Sequence, residues 1–420
     1  MNKTLIEKNL SLKNILIIFI LSIIFSFTYY FLISNSIIYP TVSPMVNDGK
    51  LFIFADWSVI IKANLCDNLG QDVYINNSCD PFGRNHVYGG ILLYFPFVEN
   101  FQKFYLIVLP IIINFIFIYI ILYLFTFNNK LYLIPATISV FSFPVILSIE
   151  RANFDIVIFI FLFLISLFRN KIFNFLTLIF LTISKFYPII LGINFLFEKN
   201  MKKFFINSLV FMILISLFVL FQYKELLKIY ENLNQFKSYG IYSFSFTSII
   251  FYLEKFEFLI NNKNYNYWFL FLVLIIPSLI IFIFTFKFVF KNKTTFELNK
   301  DNFEDKIYFL SSTVIIVCFF VFSNFVYREI FLLGLIPFIL KKINLNDFKK
   351  FFKNYYYFLI LKFLVSFPIT YLYMNKSLVN LKLTVIFKYI LDIYIVALVG
   401  ALFLAQFYWL FQNLLIKNKD

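Results

Sequence analysis

The sequence predicts an all-α polytopic membrane protein, a single domain over residues 1–420 with about 11–12 transmembrane helices. Of its 420 residues, 61% are hydrophobic and only 14% are charged. The mean hydropathy of +0.85 is far above that of a water-soluble domain. Charged residues gather in short clusters between apolar runs of roughly 18–25 residues, the length that crosses the hydrocarbon layer as a helix. A soluble enzyme is therefore excluded.

The first apolar run, Ile15 to Ile33, is preceded by Lys3, Lys8 and Lys13. Because lysines are retained on the cytoplasmic side, we expect a cytoplasmic amino terminus and a run that exits from there. No small-residue cleavage motif follows the run, which favours a retained anchor over a signal peptide.

Residues 34–103 form a polar loop that is long for so hydrophobic a chain. Loops of this length are usually functional or disordered. Within the loop, Leu51 to Leu65 has apolar residues at near-helical spacing, with Asp56 and Lys62 between them. This pattern predicts an amphipathic helix that lies at the membrane interface and does not span the bilayer.

The Lys and Arg clusters between the later runs can all be cytoplasmic only if run 172–197 crosses twice. Lys185 and Pro188 lie near the middle of that run, and proline breaks a helix, so we predict a hairpin that turns at Ser184–Pro188. The carboxyl terminus is then cytoplasmic, and the 34–103 loop is external. The later runs are 104–127, 131–149, 155–168, 172–197, 204–222, 266–286, 307–325, 328–340, 355–374 and 385–416.

Two of the three cysteines, Cys66 and Cys79, share the long external loop, whereas Cys318 lies in an apolar run. External thiols tend to pair, and closing a loop of this size stabilises a fold by about 3 kcal/mol. A Cys66–Cys79 disulfide is therefore expected, with two free thiols as the alternative. A single histidine and the lack of a Cys-x-x-Cys motif indicate that there is no metal site.

Three polar turns on the predicted external side carry basic residues against the positive-inside bias. They are Glu150–Asp155, the turn at Lys185, and Tyr327–Glu329. Charges at membrane depth indicate function by default, although an ion pair that orients two helices, or interfacial snorkelling, is the alternative. Because Arg151, Lys185 and Arg328 need an anionic partner there, we interpret them as phosphate-binding groups.

The only histidine, His86, lies close to Arg84 in the external loop. A lone loop histidine is more often a surface residue than a catalyst, and a substrate contact is the alternative. The net charge of +15 does not indicate a nucleic-acid partner, because the lysines fall mainly at helix ends. No phosphate-binding loop and no G-x-S-x-G elbow occur, which disfavours ATP-driven and serine-hydrolase chemistry.

Several short motifs occur in a characteristic order along the chain. They are Phe54–Trp57 followed by Ala63, Gly70–Tyr74, Cys79–Arg84, Glu150–Asp155, Ser184–Pro188, Ser238–Ser243 and Asn324–Glu329. In this order they resemble glycosyltransferase family 87, a family of polyprenyl-phosphate-sugar-dependent enzymes of the GT-C superfamily. The chain departs from the family at His86–Gly90, where an Asn-Tyr-Pro-like turn is frequent, and at Ala152, where glycine is common.

The resemblance implies a GT-C-like bundle whose first external loop carries interfacial helices. It implies inverting transfer of a hexose such as mannose from a polyprenyl-phosphate donor to a lipid-linked or cell-envelope glycan acceptor. The reaction would take place at the external face of a bacterial inner or plasma membrane. The implied partners are the lipid bilayer, the donor and the glycan or glycolipid acceptor, with no cofactor and no metal.

In such an enzyme an acidic residue of the first loop is the general base, and Asp56 is our candidate, with Asp48 as its substitute. Basic residues stabilise the departing phosphate. The candidate substrate-binding residues are Arg84, His86, Arg151, Asn153, Asp155, Lys185, Tyr187, Tyr327 and Arg328.

Two other functions remain open. A transporter or flippase of lipid-linked sugars requires inverted repeats with matched broken helices, and the sequence has a single break at Pro188. An envelope polysaccharide polymerase or ligase would concentrate basic residues in one large late loop, whereas loop 223–265 is modest and mixed in charge.

Overall fold

The chain is an all-α, multi-pass membrane protein. Among the described residues, five helices are long and apolar enough to cross a membrane, or six if the bent pair Leu133–Val140 and Phe143–Arg151 forms one span. Helices dominate because lipid offers no water to pair with backbone groups. The computed structural model describes residues 12–34, 46–47, 50–51, 53–126, 131–198, 200–233, 242–252, 267–321, 324–345, 348–366 and 378–416.

The described residues thus account for five or six of the predicted 11–12 spans, and some of the predicted apolar runs form shorter helices. Run 155–168 forms the 14-residue helix Phe154–Leu167. Run 328–340 is divided between a 3-10 helix, Val326–Leu335, and an α-helix, Ile336–Asn344.

The chain separates into two compact units, Met1–Gly192 with Leu209–Phe236, and Ile193–Ser208 with Lys237–Asp420. The 3-10 helix Tyr187–Phe197 and helix α8 (Met201–Phe221) contain the first two of the three boundaries, and the third lies outside the described residues. The other elements of the first unit are α1 (Leu12–Ser34), β1 (Val46–Asn47), β2 (Lys50–Leu51), α2 (Ala55–Asn68), a 3-10 turn (Gly90–Leu93), a π-helical turn (Phe104–Val108), α3 (Leu109–Leu124), α4 (Leu133–Val140), α5 (Phe143–Arg151), α6 (Phe154–Leu167), α7 (Lys171–Lys185) and α9 (Tyr223–Leu233).

The second unit is also helical. Its core includes Tyr308 against Phe338, with ring centroids 4.3 Å apart, and Phe309 against Phe403 at 5.0 Å. Its other elements are α10 (Tyr267–Lys291), α11 (Lys293–Phe296), α12 (Phe303–Phe320), the 3-10 helix Val326–Leu335, α13 (Ile336–Asn344), α14 (Lys349–Val365) and α15 (Leu378–Ile416).

Aromatic edge contacts pack the helices of the first unit. Phe117 of α3 meets Phe159 of α6 with ring centroids 5.5 Å apart, and Phe161 of α6 meets Phe180 of α7 at 5.8 Å. T-shaped pairs of this kind add about 0.5–1.5 kcal/mol beyond the area they bury. Helix α6 is thereby held against α3, and α7 is held against α6.

The short helix α2 differs from its prediction. It runs from Ala55 to Asn68, and most of its side chains are buried, so it is not an amphipathic helix with one exposed polar face. Its later turns pack against the loop that follows and against α9, where Ala63, Val73 and Ile229 belong to one buried cluster. The sequence pattern was misleading because a helix covered on nearly all sides needs small and apolar residues all around, not one apolar stripe.

Candidate functional site

Helix α2 begins one residue before Asp56, so this carboxylate lies in the first helical turn. Phe54, just before the helix, has a left-handed backbone (φ 59°) and donates its N–H to the carbonyl oxygen of Glu150 at 2.9 Å. The start of α2 is thereby joined to the end of α5. The Asp56 side chain remains 19% exposed, so it is enclosed but not sealed.

Arg84 reaches Asp56 from the loop after α2. The Asp80 carboxylate holds it through Arg84 N, Nε and Nη2, each at 3.0 Å. Arg84 Nη2 also donates to Ala55 O at 2.8 Å, which leaves Nη1 3.5 Å from Asp56 Oδ1. The predicted disulfide joins Cys66 and Cys79, the residue before Asp80. The covalent link therefore anchors this clamp to the end of α2.

The turn between α5 and α6 supplies two more partners. Ala152 has a left-handed backbone (φ 44°) and ends α5, which puts Arg151 and Asn153 beside α2. Arg151 Nη1 lies 3.7 Å from Asp56 Oδ1, and Arg151 Nε lies 3.0 Å from Glu150 Oε2. Asn153 Nδ2 donates to Asp56 Oδ2 at 2.8 Å. The candidate base therefore has two guanidinium groups at one oxygen and an amide at the other.

Asn153 is also the N-cap of α6. Its Oδ1 accepts from Asp155 N at 3.0 Å, the hydrogen bond for which asparagine is preferred at the N-cap of a helix. The same oxygen accepts from Lys185 Nζ at 3.2 Å. Because Oδ1 serves two donors, the amide nitrogen has to face Asp56. The orientation of Asn153 is thus determined from both sides.

The break in run 172–197 lies where the sequence predicts it. Helix α7 ends at Lys185, and Phe186 adopts φ 55° before the chain continues as a 3-10 helix. Lys185 Nζ and Tyr187 OH both donate to Asp155 Oδ1, at 2.8 and 2.7 Å. Asp155 is fully buried, so these two donors offset the loss of its hydration.

The loop after α2 also approaches the end of α7 closely. Gly89 N donates to Ser184 O at 2.9 Å. A Cβ at Gly89 would lie only 1.7 Å from the Ile183 carbonyl oxygen, so only glycine fits there. The preceding Tyr88 presents its ring to Lys185 Nζ at 5.5 Å, a cation–π distance.

These contacts form one continuous polar chain, which we call the Asp56 cluster. Hydrogen bonds run from Asp56 through Asn153 and Lys185 to Asp155 and Tyr187. The members of the cluster are Asp56, Asp80, Arg84, Glu150, Arg151, Asn153, Asp155, Lys185 and Tyr187.

Carboxylates and cations are close to balanced in the Asp56 cluster. Arg84, Arg151 and Lys185 each have a carboxylate partner, so a phosphate would join groups that already interact. The positions of these cations therefore do not by themselves require an external anion. The ion pair of Arg151 with Glu150 is one of the alternatives that the sequence left open. Their side chains are 20%, 18% and 12% exposed, which leaves part of each able to meet a ligand.

His86 is not the surface residue that its loop position suggests. It is fully buried, and its ring lies 5.3 Å from Tyr74 and 5.7 Å from Tyr88 between ring centroids. Burial lowers the pKa of His86 to about 3, against an opposing backbone contact with Gly89. The imidazole is therefore neutral in the folded protein and packs behind Tyr88, without a hydrogen bond to Asp56 among the described contacts.

The remaining sequence candidates lie elsewhere. Tyr327 and Arg328 belong to the second unit, at the start of the 3-10 helix Val326–Leu335. Asp48 lies outside the described residues. Among the residues that the structure describes, no three His, Cys, Asp or Glu side chains form a group that could hold a metal ion.

Sequence analysis missed a second polar cluster, in the second unit. Glu329, Lys362, Lys388 and Asp392 form ion pairs and are at most 1% exposed. We call these four residues the buried quartet. A signal was present, since Lys388 and Asp392 stand one helical turn apart inside an apolar run, where charges are rare.

Comparison with known proteins does not supply a family. No protein-family model, no curated protein and no solved structure matches the chain.

Proposed function

We propose that this protein is a GT-C-type membrane glycosyltransferase in which Asp56 is the general base. The hydrogen bond between Asn153 and Asp56 carries the proposal, because it joins the carboxylate to the Glu150–Asp155 turn and, through Lys185, to the Ser184–Pro188 turn. A proton acceptor needs a carboxylate in a defined orientation that a hydroxyl can still reach. Asp56 meets both requirements, since it is held at each oxygen and is 19% exposed.

The chemistry also needs cations near a leaving phosphate. Arg84, Arg151 and Lys185 lie around Asp56 and are each partly exposed. We propose that a polyprenyl-phosphate hexose binds beside these side chains, and that the acceptor hydroxyl gives its proton to Asp56 as the sugar is transferred. The donor is a substrate, and the proposed reaction uses no cofactor. We further propose that the reaction takes place on the extracytoplasmic side of the membrane.

The test is a transfer assay with the full chain in lipid nanodiscs. The probes are a polyprenyl-phosphate hexose with a radiolabelled sugar and a polyprenyl-linked glycan acceptor. Asp56→Asn should lower the transfer rate by about a hundredfold or more, the usual effect of losing a positioned proton acceptor. Asp67→Asn is the matched control, because Asp67 lies at the other, exposed end of the same helix.

Asp56→Asn changes the shape of the side chain little, but it removes the negative charge of the carboxylate. An amide has one acceptor oxygen, so at position 56 it turns its NH₂ toward either a guanidinium or Asn153 Nδ2. We expect a loss of stability of roughly 1–3 kcal/mol, which thermal unfolding measures separately from transfer. Equal transfer rates for Asp56→Asn, Asp67→Asn and the unaltered protein would contradict the proposed role of Asp56.

A second candidate, a transporter or flippase of lipid-linked sugars, is favoured by one observation. The buried quartet lies in helices and segments of the second unit, and ionisable groups inside membrane bundles often mark transport pathways. Reconstitution of the same protein into sealed proteoliposomes, in place of nanodiscs, distinguishes the two functions. Movement of a fluorescent lipid-linked sugar between leaflets, without transfer of the sugar, would support the transporter.

A further inference from the structure

The buried quartet is a closed ring of opposite charges. Lys362 Nζ lies 2.9 Å from Glu329 Oε2 and 2.5 Å from Asp392 Oδ1. Lys388 Nζ lies 2.8 Å from Glu329 Oε1 and 2.8 Å from Asp392 Oδ2. Each lysine thus contacts both carboxylates, and the four formal charges sum to zero.

Stability alone does not explain such a ring. Removing four charges from water costs several kcal/mol per ion, and well-packed apolar residues often replace a buried ion pair without loss of stability. A ring of ion pairs fixes the relative positions of the segments that carry it, because each contact requires a defined position of both partners. The quartet joins α14, α15 and the 3-10 helix that contains Arg328.

Lys388 has a contact that Lys362 lacks among the described residues. Lys388 Nζ also donates to the Ser243 carbonyl oxygen at 2.7 Å. Ser243 Oγ is in turn 2.8 Å from Tyr389 OH. Ser243 is therefore fixed to α15 at its backbone and at its side chain.

Ser243 and its neighbour Phe244 are in turn hydrogen-bonded to the segment before Arg328. Ser243 and Phe325 form an isolated antiparallel bridge, and Phe244 N donates to Asn324 O at 2.8 Å. On the other side of Arg328, Glu329 contacts Lys388 directly. Both ends of the Tyr327–Arg328 turn are thus connected to one lysine.

We infer that Lys388 is a positioning residue that holds the Tyr327–Arg328 turn so that Arg328 can bind an anionic phosphate headgroup. Arg328 is partly exposed, and a guanidinium donates to phosphate in a planar, directional manner, so its backbone must be placed accurately. The nature of the ligand rests on the proposed function. The positioning role of Lys388 rests on the contacts above and can be tested without any ligand.

The first experiment compares two charge-matched double variants in nanodiscs by hydrogen exchange. Lys388→Met with Asp392→Asn and Lys362→Met with Asp392→Asn each leave Glu329 with one lysine. Only the first loses the contact to Ser243. We expect backbone exchange in residues 324–329 to rise at least tenfold in the Lys388 variant and to change less than threefold in the Lys362 variant.

Exchange in helix α12 is the internal control and should remain unchanged in both variants. Equal increases in the two variants, or no increase in the Lys388 variant, would overturn the inference. If a double variant does not fold, the same comparison is made with the single variants Lys388→Gln and Lys362→Gln, whose shorter side chains withdraw the ammonium groups. Faster exchange confined to 324–329 in Lys388→Gln alone supports the inference, and equal exchange in both variants contradicts it.

The second experiment measures binding of sugar-free undecaprenyl phosphate by native mass spectrometry. If Lys388 acts through Arg328, Arg328→Gln and the Lys388 double variant weaken binding by a similar factor, and combining them weakens it no further. Additive losses would contradict an action through Arg328. Inorganic phosphate as a competitor separates headgroup recognition from binding of the lipid chain. Failure of the unaltered protein to bind either ligand would contradict the proposed function, while the exchange result still decides the role of Lys388.

Discussion

Asn153→Asp is the sharpest probe of the Asp56 cluster, because it preserves one role of the residue and inverts the other. Aspartate caps a helix as well as asparagine, so its oxygen can still accept from Asp155 N. The Nδ2 donor, however, becomes a second carboxylate oxygen about 2.8 Å from Asp56 Oδ2. The substitution therefore tests the contact to Asp56 without removing the cap.

The size of the effect follows from Coulomb's law. Two charges about 4 Å apart repel each other by about 4 kcal/mol at an effective dielectric constant of about 20. Lys185 contacts position 153 and offsets part of this repulsion. We expect a net loss of roughly 2–4 kcal/mol in the free energy of unfolding at neutral pH.

The loss should depend on pH with a defined sign. When one of the two facing carboxyls takes up a proton, a hydrogen bond replaces the repulsion. The folded variant then binds more protons than the unfolded chain, so its stability relative to the unaltered protein rises as the pH falls from 8 to about 5. Asn170→Asp is the control, since Asn170 is an exposed N-cap of α7 whose side chain accepts from Phe173 N.

Thermal unfolding of both variants in nanodiscs, measured at several pH values, is the assay. The reasoning is refuted if Asn153→Asp and Asn170→Asp shift the unfolding midpoint equally, or if the shift for Asn153→Asp does not depend on pH. In the transfer assay, Asn153→Asp should also lower activity at neutral pH, because repulsion moves the Asp56 carboxylate.

Three further outcomes are expected. Gly89→Ala should destabilise the protein by about 1–3 kcal/mol, because its Cβ meets a backbone carbonyl at 1.7 Å, whereas Gly90→Ala meets a movable side chain and should cost less in thermal unfolding. Burial lowers the pKa of His86 to about 3, so between pH 6.5 and about 3 the unfolded chain binds up to one more proton than the folded protein. Stability is lost there by up to about 1.4 kcal/mol per pH unit as the pH falls, and His86→Phe should remove that portion. With an impermeant thiol reagent applied outside intact cells, Asn100→Cys should be labelled and Asn170→Cys should not; the reverse would refute the predicted topology.

Local features of the site were predictable from the sequence where a single residue strongly constrains the backbone or carries a charge. The break beside Pro188 occurs at Phe186, and the charged turn between α5 and α6 interrupts an apolar pattern. Both signals arise because lipid tolerates neither a missing backbone hydrogen bond nor a bare charge. The Cys66–Cys79 disulfide follows similarly from two thiols in one loop.

Features that depend on distant partners were not predictable. The burial of α2 depends on α9, which is more than a hundred residues away in the chain. The ion pair of Arg151 with Glu150 was among the alternatives that the sequence left open. The approach of Arg84 and Arg151 to Asp56 depends on loop geometry, which the sequence did not show. His86 was placed at the surface for the same reason. Each of these errors concerns which side chain covers another, and that is decided by tertiary packing.

The two polar clusters differ in a way that bears on where chemistry can occur. In the buried quartet, every charge has two partners within 2.9 Å, and exposure is at most 1%. Asp56 instead has one short hydrogen bond, from Asn153, and two longer ion pairs at 3.5 and 3.7 Å. A carboxylate that accepts a proton from a substrate must be reachable and must exchange partners at low energy. The quartet cannot do so without breaking several strong contacts, whereas Asp56 can release a distant guanidinium to a phosphate and keep its orientation through Asn153. This difference is why we assign proton transfer to Asp56 and positioning to Lys388.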